Sequence, residues 1–368
     1  MKVVFRTDAS LQIGIGHVMR CLTLADALRA SGAECSFICR EHPGNLLEQI
    51  RQRRYAVLGL PASSADPIPR DLEEAAESNH SSWLGSDWAT DAAQTRVGAG
   101  ETAIDWLIVD HYAIDARWER ALRPICRKLM VIDDLADRPH DCDLLLDQNL
   151  GRDVRDYSRL VPDNCTVLVG PRYALLRPEF AALRDYSMRR RTIPQLKHLL
   201  ITMGGVDQAD ATGKALEALM DCQLPADSHI TVVMGPHAPW LKRVQLLAAQ
   251  MPRSTEVMVN VHNMAQLMAD SDLAIGAAGS TSWERCCLGL PALIVVLAEN
   301  QSNGAAALEH SGSVKVLGCL DAIPKTLRSM VSLLASTSEL RQIIQASFSI
   351  TDGEGAGRIE RVLAENHG

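Results

Sequence analysis

Short aliphatic and β-branched runs return along this chain, and most are followed by a stretch amphipathic enough to form a helix. That alternation is best satisfied by a parallel sheet covered on both faces, because each connection between parallel strands must cross back over the sheet. The fold class is therefore α/β. Strands are expected in the first half at 3–6, 35–39, 55–58, 106–109, 129–132, 144–146 and 166–169, and in the second at 198–203, 230–234, 256–259, 273–275, 293–296 and 314–317. Between the first two strands, Leu22, Ala25 and Leu28 fall on one face at helical spacing. From 61 to 101 the pattern lapses into Ser, Asp, Ala and Gly around Trp83 and Trp88, which reads as a long insertion with a little helix.

A chain of 368 residues exceeds what one core usually serves, so two domains are expected. Residues 171–194, bounded by prolines, suit a hinge and place the domains at 1–185 and 186–368. The basic run Arg189, Arg190 and Arg191 reads as a solvated linker in preference to a phosphate site. A net charge of −8 argues against a general nucleic-acid binder, which needs clustered Lys and Arg, but leaves a small anionic ligand open. No apolar run is long enough for a membrane span and no signal-peptide pattern opens the sequence, so the expected location is cytoplasmic. The ten cysteines are dispersed and lack zinc-site spacing; free thiols and no structural metal are expected.

The chemistry gathers at strand ends. Arg6, Thr7 and Asp8 close the first strand, and Gly14, Ile15, Gly16 and His17 lead into the first helix. Glycines there expose N–H groups at the positive end of a helix, a favourable place for phosphate. Met19 stands where a dinucleotide fingerprint requires its third glycine, which disfavours NAD. A helix start disfavours the imidazolium form of His17, so the ring could take a proton from water; the alternative is a helix cap or phosphate contact. Asp110 and His111 follow one strand, Asp133 and Asp134 another, and each either faces the same crevice as His17 or only caps a loop. In the second half Gly204 and Gly205 end a strand. The segment Gly276, Ala277, Ala278, Gly279, Ser280, Thr281 precedes a helix containing Glu284, and Glu299, Asn300, Gln301, Ser302 and Asn303 form a polar cluster after another strand. Backbone amides at the glycine-rich turns suit phosphate, and the polar cluster suits a ribose or sugar.

Several of these segments, in this order, resemble the UDP-sugar hydrolases of pseudaminic-acid biosynthesis: Gly16 to Cys21, Val109 to Tyr112, Ile132 to Ala136, Leu146 to Asn149, Tyr173 to Phe180, Met203 to Asp207 and Gly279 to Glu284. That family is similar to GT-B glycosyltransferases, including the peptidoglycan enzyme that adds N-acetylglucosamine from UDP. The resemblance implies a GT-B-like fold of two Rossmann-like domains facing a central cleft, with UDP mainly on the second. Val261, His262 and Met264 would border the uracil, Gly279, Ser280 and Thr281 the diphosphate, and Glu284 the ribose, with Glu299, Asn300, Gln301 and Asn303 near the sugar and diphosphate. Gly16, Asp8, Asp110, Gly204 and Gly205 join the substrate-binding candidates, and His17 would activate water. The family substrate is UDP-2,4-diacetamido-2,4,6-trideoxy-β-L-altropyranose, cleaved at the anomeric C–O bond with inversion and without metal or cofactor. Two other functions fit the same residues. One is a UDP-sugar glycosyltransferase; the other is a binding module without turnover, which His17 beside a full nucleotide site disfavours.

Overall fold

The computed structural model describes residues 1–62, 80–100 and 103–366. They divide into two compact units, residues 1–175 with 356–368, and residues 176–355.

The first unit is built on a wholly parallel seven-stranded sheet: β1 (Lys2–Thr7), β2 (Glu34–Arg40), β3 (Ala56–Leu60), β4 (Ile104–Asp110), β5 (Cys126–Ile132), β6 (Leu144–Asp147) and β7 (Thr166–Val169), in the order β3-β2-β1-β4-β5-β6-β7. Its central strands are apolar on both faces because a separate core covers each face. Val3 and Phe5 of β1, Trp106 and Ile108 of β4, and Met130 and Ile132 of β5 pack into one cluster; the intervening Val4, Leu107, Val109, Leu129 and Val131 pack into the other. The first helix, Gly16–Ala30, lays Val18, Cys21, Leu22, Ala25 and Leu28 on the former.

The second unit repeats the plan with six parallel strands: β8 (His198–Thr202), β9 (His229–Met234), β10 (Ser254–Val259), β11 (Leu273–Ala277), β12 (Ala292–Val296) and β13 (Lys315–Cys319), ordered β10-β9-β8-β11-β12-β13. Both sheets therefore reverse strand order beside their first strand, between β1 and β4 and between β8 and β11. These are the switch points beyond whose carboxyl ends Rossmann-like sheets bind ligands.

Three expectations are corrected. The chain does not stay in the second unit after 186: the last helix, Gly355–Glu365, sends Ile359 and Leu363 into a core of the first unit, and Trp106 Nε1 donates to the Leu363 carbonyl at 3.3 Å. Nor is 171–194 a hinge. Residues 178–190 form a helix of the second unit, and Arg191, 5% exposed, donates to the carbonyls of Met268, Ser271 and Leu288. Those are oxygens at or near helix ends, which lack intrahelical donors, so Arg191, joined by Arg190 on Ser271 and Asp272, is a lock, and of the run only Arg189 is exposed to solvent. Burial without an acidic partner in contact pushes the Arg191 guanidinium down to about 9, with Arg190 adding to the effect. The third concerns 61–101. Residues 63–79 and 101–102 lie outside the described structure, but the rest contains a full helix, Trp88–Ala99, capped by Asp87, whose carboxylate accepts from Thr90 N at 2.9 Å.

Candidate active site

At the first switch point, the carboxyl ends of β1, β4 and β5 deliver Asp8, Asp110 and Asp134, and the helix start delivers His17 and Arg20 one turn apart. His17 Nδ1 lies 2.6 Å from Asp110 Oδ1, which makes Nδ1 the protonated nitrogen facing a carboxylate. Arg20 grips the same carboxylate with two hydrogen bonds, Nε to Oδ2 at 2.6 Å and Nη2 to Oδ1 at 2.7 Å, and reaches Asp134 with Nη1 at 2.7 Å. Burial would raise the Asp110 pKa, but Arg20 and then His17 outweigh it and hold the group far below the usual carboxylate range. Asp110 is thus a fixed anion that orients the ring. The ring's other nitrogen, Nε2, makes no hydrogen bond among the described residues, and His17 keeps 8% of its surface exposed. An imidazole held through Nδ1 with Nε2 unoccupied is the arrangement that accepts a proton from a nucleophile.

Tyr112 buttresses this pair. Its ring meets His17 edge-on with centroids 4.5 Å apart, its hydroxyl donates to Asp134 Oδ2 at 2.7 Å, and Trp83 stacks on it at 5.8 Å, with His80 against both. Burial and Asp134 push the phenol well above its ordinary range, so it stays a donor. Sequence reasoning missed Arg20 and left Trp83 without a role; the three-residue step from His17 to Arg20 was the available signal.

Asp8 sits beside this cluster. Its Oδ1 accepts from Arg6 Nη1 and the Arg40 amide, both at 2.6 Å, while its buried Oδ2 faces His111 Nε2 at 3.3 Å and His42 Nε2 at 3.8 Å. Burial opposes its ionisation, but Arg6 and the two histidines hold it well below normal. Asp133 is otherwise engaged: it accepts from Ala136 N, Arg138 and Tyr157 and so fixes the loop after β5. Gly16 opens the first helix.

In the second unit the segments singled out from sequence all follow the carboxyl ends of strands, and parallel pairing puts those ends at one end of the sheet. Gly204 and Gly205 follow β8, Gly204 with φ +93°, a conformation that favours glycine. A Cβ on Gly235, after β9, would collide with the Gly205 carbonyl, so the two loops touch because residue 235 is glycine. Val261, His262 and Met264 follow β10; Gly279, Ser280 and Thr281 follow β11, with Ser280 exposed at the head of a seven-residue helix, Thr281–Cys287. Glu284 lies on that helix, its Oε1 3.7 Å from Arg177 Nη2, and burial raises its carboxyl against the opposing pull of Arg177. Glu299, Asn300, Gln301 and Asn303 follow β12; Glu299, Asn300 and Asn303 are exposed, whereas Gln301 turns inward, its Oε1 accepting from Leu297 N at 3.0 Å. Asp207 of the same glycine loop caps the helix Ala211–Met220 through the amides of Ala211 and Thr212, a structural task. Among the described residues, no three His, Cys, Asp or Glu side chains converge as metal ligands, and no helix is long and apolar enough to cross a membrane.

Residues 198–351 match the glycosyltransferase family 28 C-terminal domain. The chain is 28% identical to the UDP-2,4-diacetamido-2,4,6-trideoxy-beta-L-altropyranose hydrolase of Campylobacter jejuni, over 85% of this chain and 97% of that one. It is 26% identical to an uncharacterized protein of Methanocaldococcus jannaschii over 82% of its own length, and spans about half (56%) of that relative. In three dimensions it is similar to MurG of Acinetobacter baumannii, with a TM-score of 0.72 at 15% identity over 99% of both chains. The resemblance carried by the motifs thus extends over most of the chain, and the two Rossmann-like domains are those of a GT-B-like fold.

Proposed function

We propose that the protein hydrolyses a UDP-linked sugar, UDP-2,4-diacetamido-2,4,6-trideoxy-β-L-altropyranose or a close analogue, with His17 as the general base. The observation that carries this is the Asp110–His17 pair, in which one ring nitrogen is held and the other has no hydrogen-bond partner among the described residues. His17 Nε2 takes a proton from water as the water oxygen bonds to the anomeric carbon; the bond from that carbon to the diphosphate oxygen breaks, and UDP leaves with the electron pair. Direct displacement inverts the anomeric configuration. The developing charge on UDP is met by amides of the loops after β8 and β11. The likeness to the Campylobacter jejuni hydrolase supports both the reaction and the substrate. The matching assay supplies the purified protein with the UDP-activated diacetamido sugar and no acceptor, and follows UDP and the first-formed sugar anomer by NMR. A retained configuration overturns the direct displacement by water, and no UDP without an added alcohol sinks the hydrolase.

Transfer to an acceptor hydroxyl is the second reading, favoured by the glycosyltransferase family 28 match over 198–351. His17 would then deprotonate the acceptor, and turnover would rise in proportion to added alcohol.

Two results are expected of the nucleotide site. Glu284→Ala should weaken free UDP by about 1.5 to 3 kcal/mol, roughly 10- to 150-fold in Kd, through loss of the ribose contact. Calorimetry showing unchanged affinity in the folded variant would remove Glu284 from the site. Because backbone amides are assigned to the diphosphate, EDTA should leave turnover intact; loss on chelation restored by Mg²⁺ would replace that assignment with a metal bridge.

A further inference from the structure

Among the described residues of the second unit, Arg285 is a buried charge with neither an acidic partner nor acceptors for two of its nitrogens. Arg285 is 1% exposed and forms no ion pair with any described residue. Its Nη2 donates to the Ala277 carbonyl at 2.7 Å and the Ser282 hydroxyl at 2.9 Å, while Nε and Nη1 are buried without any partner. Buried arginines are ordinarily paired, because an isolated charge keeps its desolvation penalty in full. Glu284, its neighbour in sequence, faces Arg177, and burial pushes that carboxyl toward its neutral form. Burial likewise pushes the Arg285 guanidinium down to about 10, which still leaves it charged at neutral pH.

The position of this charge is as informative as its isolation. Arg285 Nη1 occupies the space that a Cβ on Gly276 would need, and the Thr202 carbonyl borders the same point. Gly276 on β11 and Thr202 on β8 are register partners, so the guanidinium lies at the switch point of the second sheet. Through Ala277 and Ser282 it also ties down both ends of the loop 278–281.

We infer that Arg285 is a standing counter-charge for an anionic ligand of the phosphate class bound on the 278–281 loop; the ligand completes an ion balance that the fold leaves open. This rests on the nucleotide site proposed above and adds to it a positioning residue that acts through the loop and its local field. Two effects follow. Anion affinity depends on Arg285, and the unliganded protein bears the cost of burying it.

The test is calorimetric titration of wild type, Arg285→Met and Arg285→Lys with UDP, uridine and inorganic pyrophosphate, alongside unliganded melting temperatures. Arg285→Met is expected to lose at least ~10-fold in affinity for UDP and pyrophosphate and less than about twofold for uridine, with an unchanged or higher melting temperature. Arg285→Lys, which keeps the charge, should stay within about threefold of wild type for UDP. Wild-type affinity for UDP in Arg285→Met, or a parallel loss for UDP and uridine, overturns the counter-charge and leaves only loop packing. Should Arg285→Met not fold, a tenfold loss in Arg285→Lys overturns it equally. Wild type that binds neither UDP nor pyrophosphate removes the nucleotide site itself, and the counter-charge with it. Pyrophosphate binding without uridine binding removes only nucleoside recognition and leaves Arg285 in place.

Discussion

Replacing His17 with Asn should cut turnover by about 10² to 10⁴ while the protein still folds and still binds UDP. The size follows from what the asparagine keeps and what it lacks: an amide can face Asp110 but has no basic nitrogen to receive the proton from water. Folding should survive because Arg20 continues to hold Asp110 through two hydrogen bonds when the imidazole is gone. Nucleotide binding should survive because UDP is assigned to the loops of the second unit. Steady-state kinetics and UDP titration on the same preparation separate the two effects. A variant turning over at nearly the wild-type rate would reduce His17 to a substrate contact. Asp8 would then be the next base to test, since its Oδ2 meets only two histidine rings, at 3.3 and 3.8 Å, whereas Asp110 has both oxygens in short hydrogen bonds.

The largest effect on stability is expected at Asp91. Its carboxylate is fully buried and accepts from Arg6 at 2.6 and 3.1 Å, from Arg40 at 2.6 Å and from Trp118 Nε1 at 2.9 Å. Asp91→Ala would leave a buried guanidinium pair sharing one fewer carboxylate, a change worth roughly 3 to 5 kcal/mol. For a unit of this size that is on the order of 10 °C in the melting transition, readable by calorimetry. The effect should depend on pH. Burial raises the Asp91 pKa, but Arg6 and Arg40 win and its folded value lies below the ordinary one. The native state therefore binds its proton less readily than the unfolded chain, so the network contributes in full above about pH 4 and loses that contribution as pH falls through the depressed value. A difference between wild type and variant that stayed constant down to low pH, or one under about 1 kcal/mol at neutrality, would contradict this account.

The central strands were legible because they are buried on both faces, and a run such as Val3, Val4, Phe5 has no other use in a protein of this composition. The helix Trp88–Ala99 was not, for the same physical reason inverted. Its buried positions are Asp91, Ala92 and Thr95, so its inward face is held by ions and carries no apolar stripe for periodicity to find. Arg191 was unreadable because its acceptors are carbonyls 77 to 97 positions away, supplied by helix ends that only the fold brings near. At the first switch point, chain order placed His17, Asp110 and Asp134 at strand or helix ends, which the topology then gathered. What sequence could not choose was which acid serves which partner: Asp110 faces the imidazole, Asp134 the Arg20 and Tyr112 donors, and Asp133 its own loop.

The return of Gly355–Glu365 to the core beneath Trp106 has a consequence for synthesis. A ribosome releases the seven strands of the first sheet early, but a face of that sheet lacks Ile359 and Leu363 until residues 355–365 have also been made. The second unit, continuous from 176 to 355, has all its own residues before that moment. The order of completion of the two units is therefore the reverse of the order of emergence: the unit that carries His17 closes after the unit at 176–355, and a nascent chain stalled before residue 355 displays an uncovered apolar surface to the cell's folding machinery.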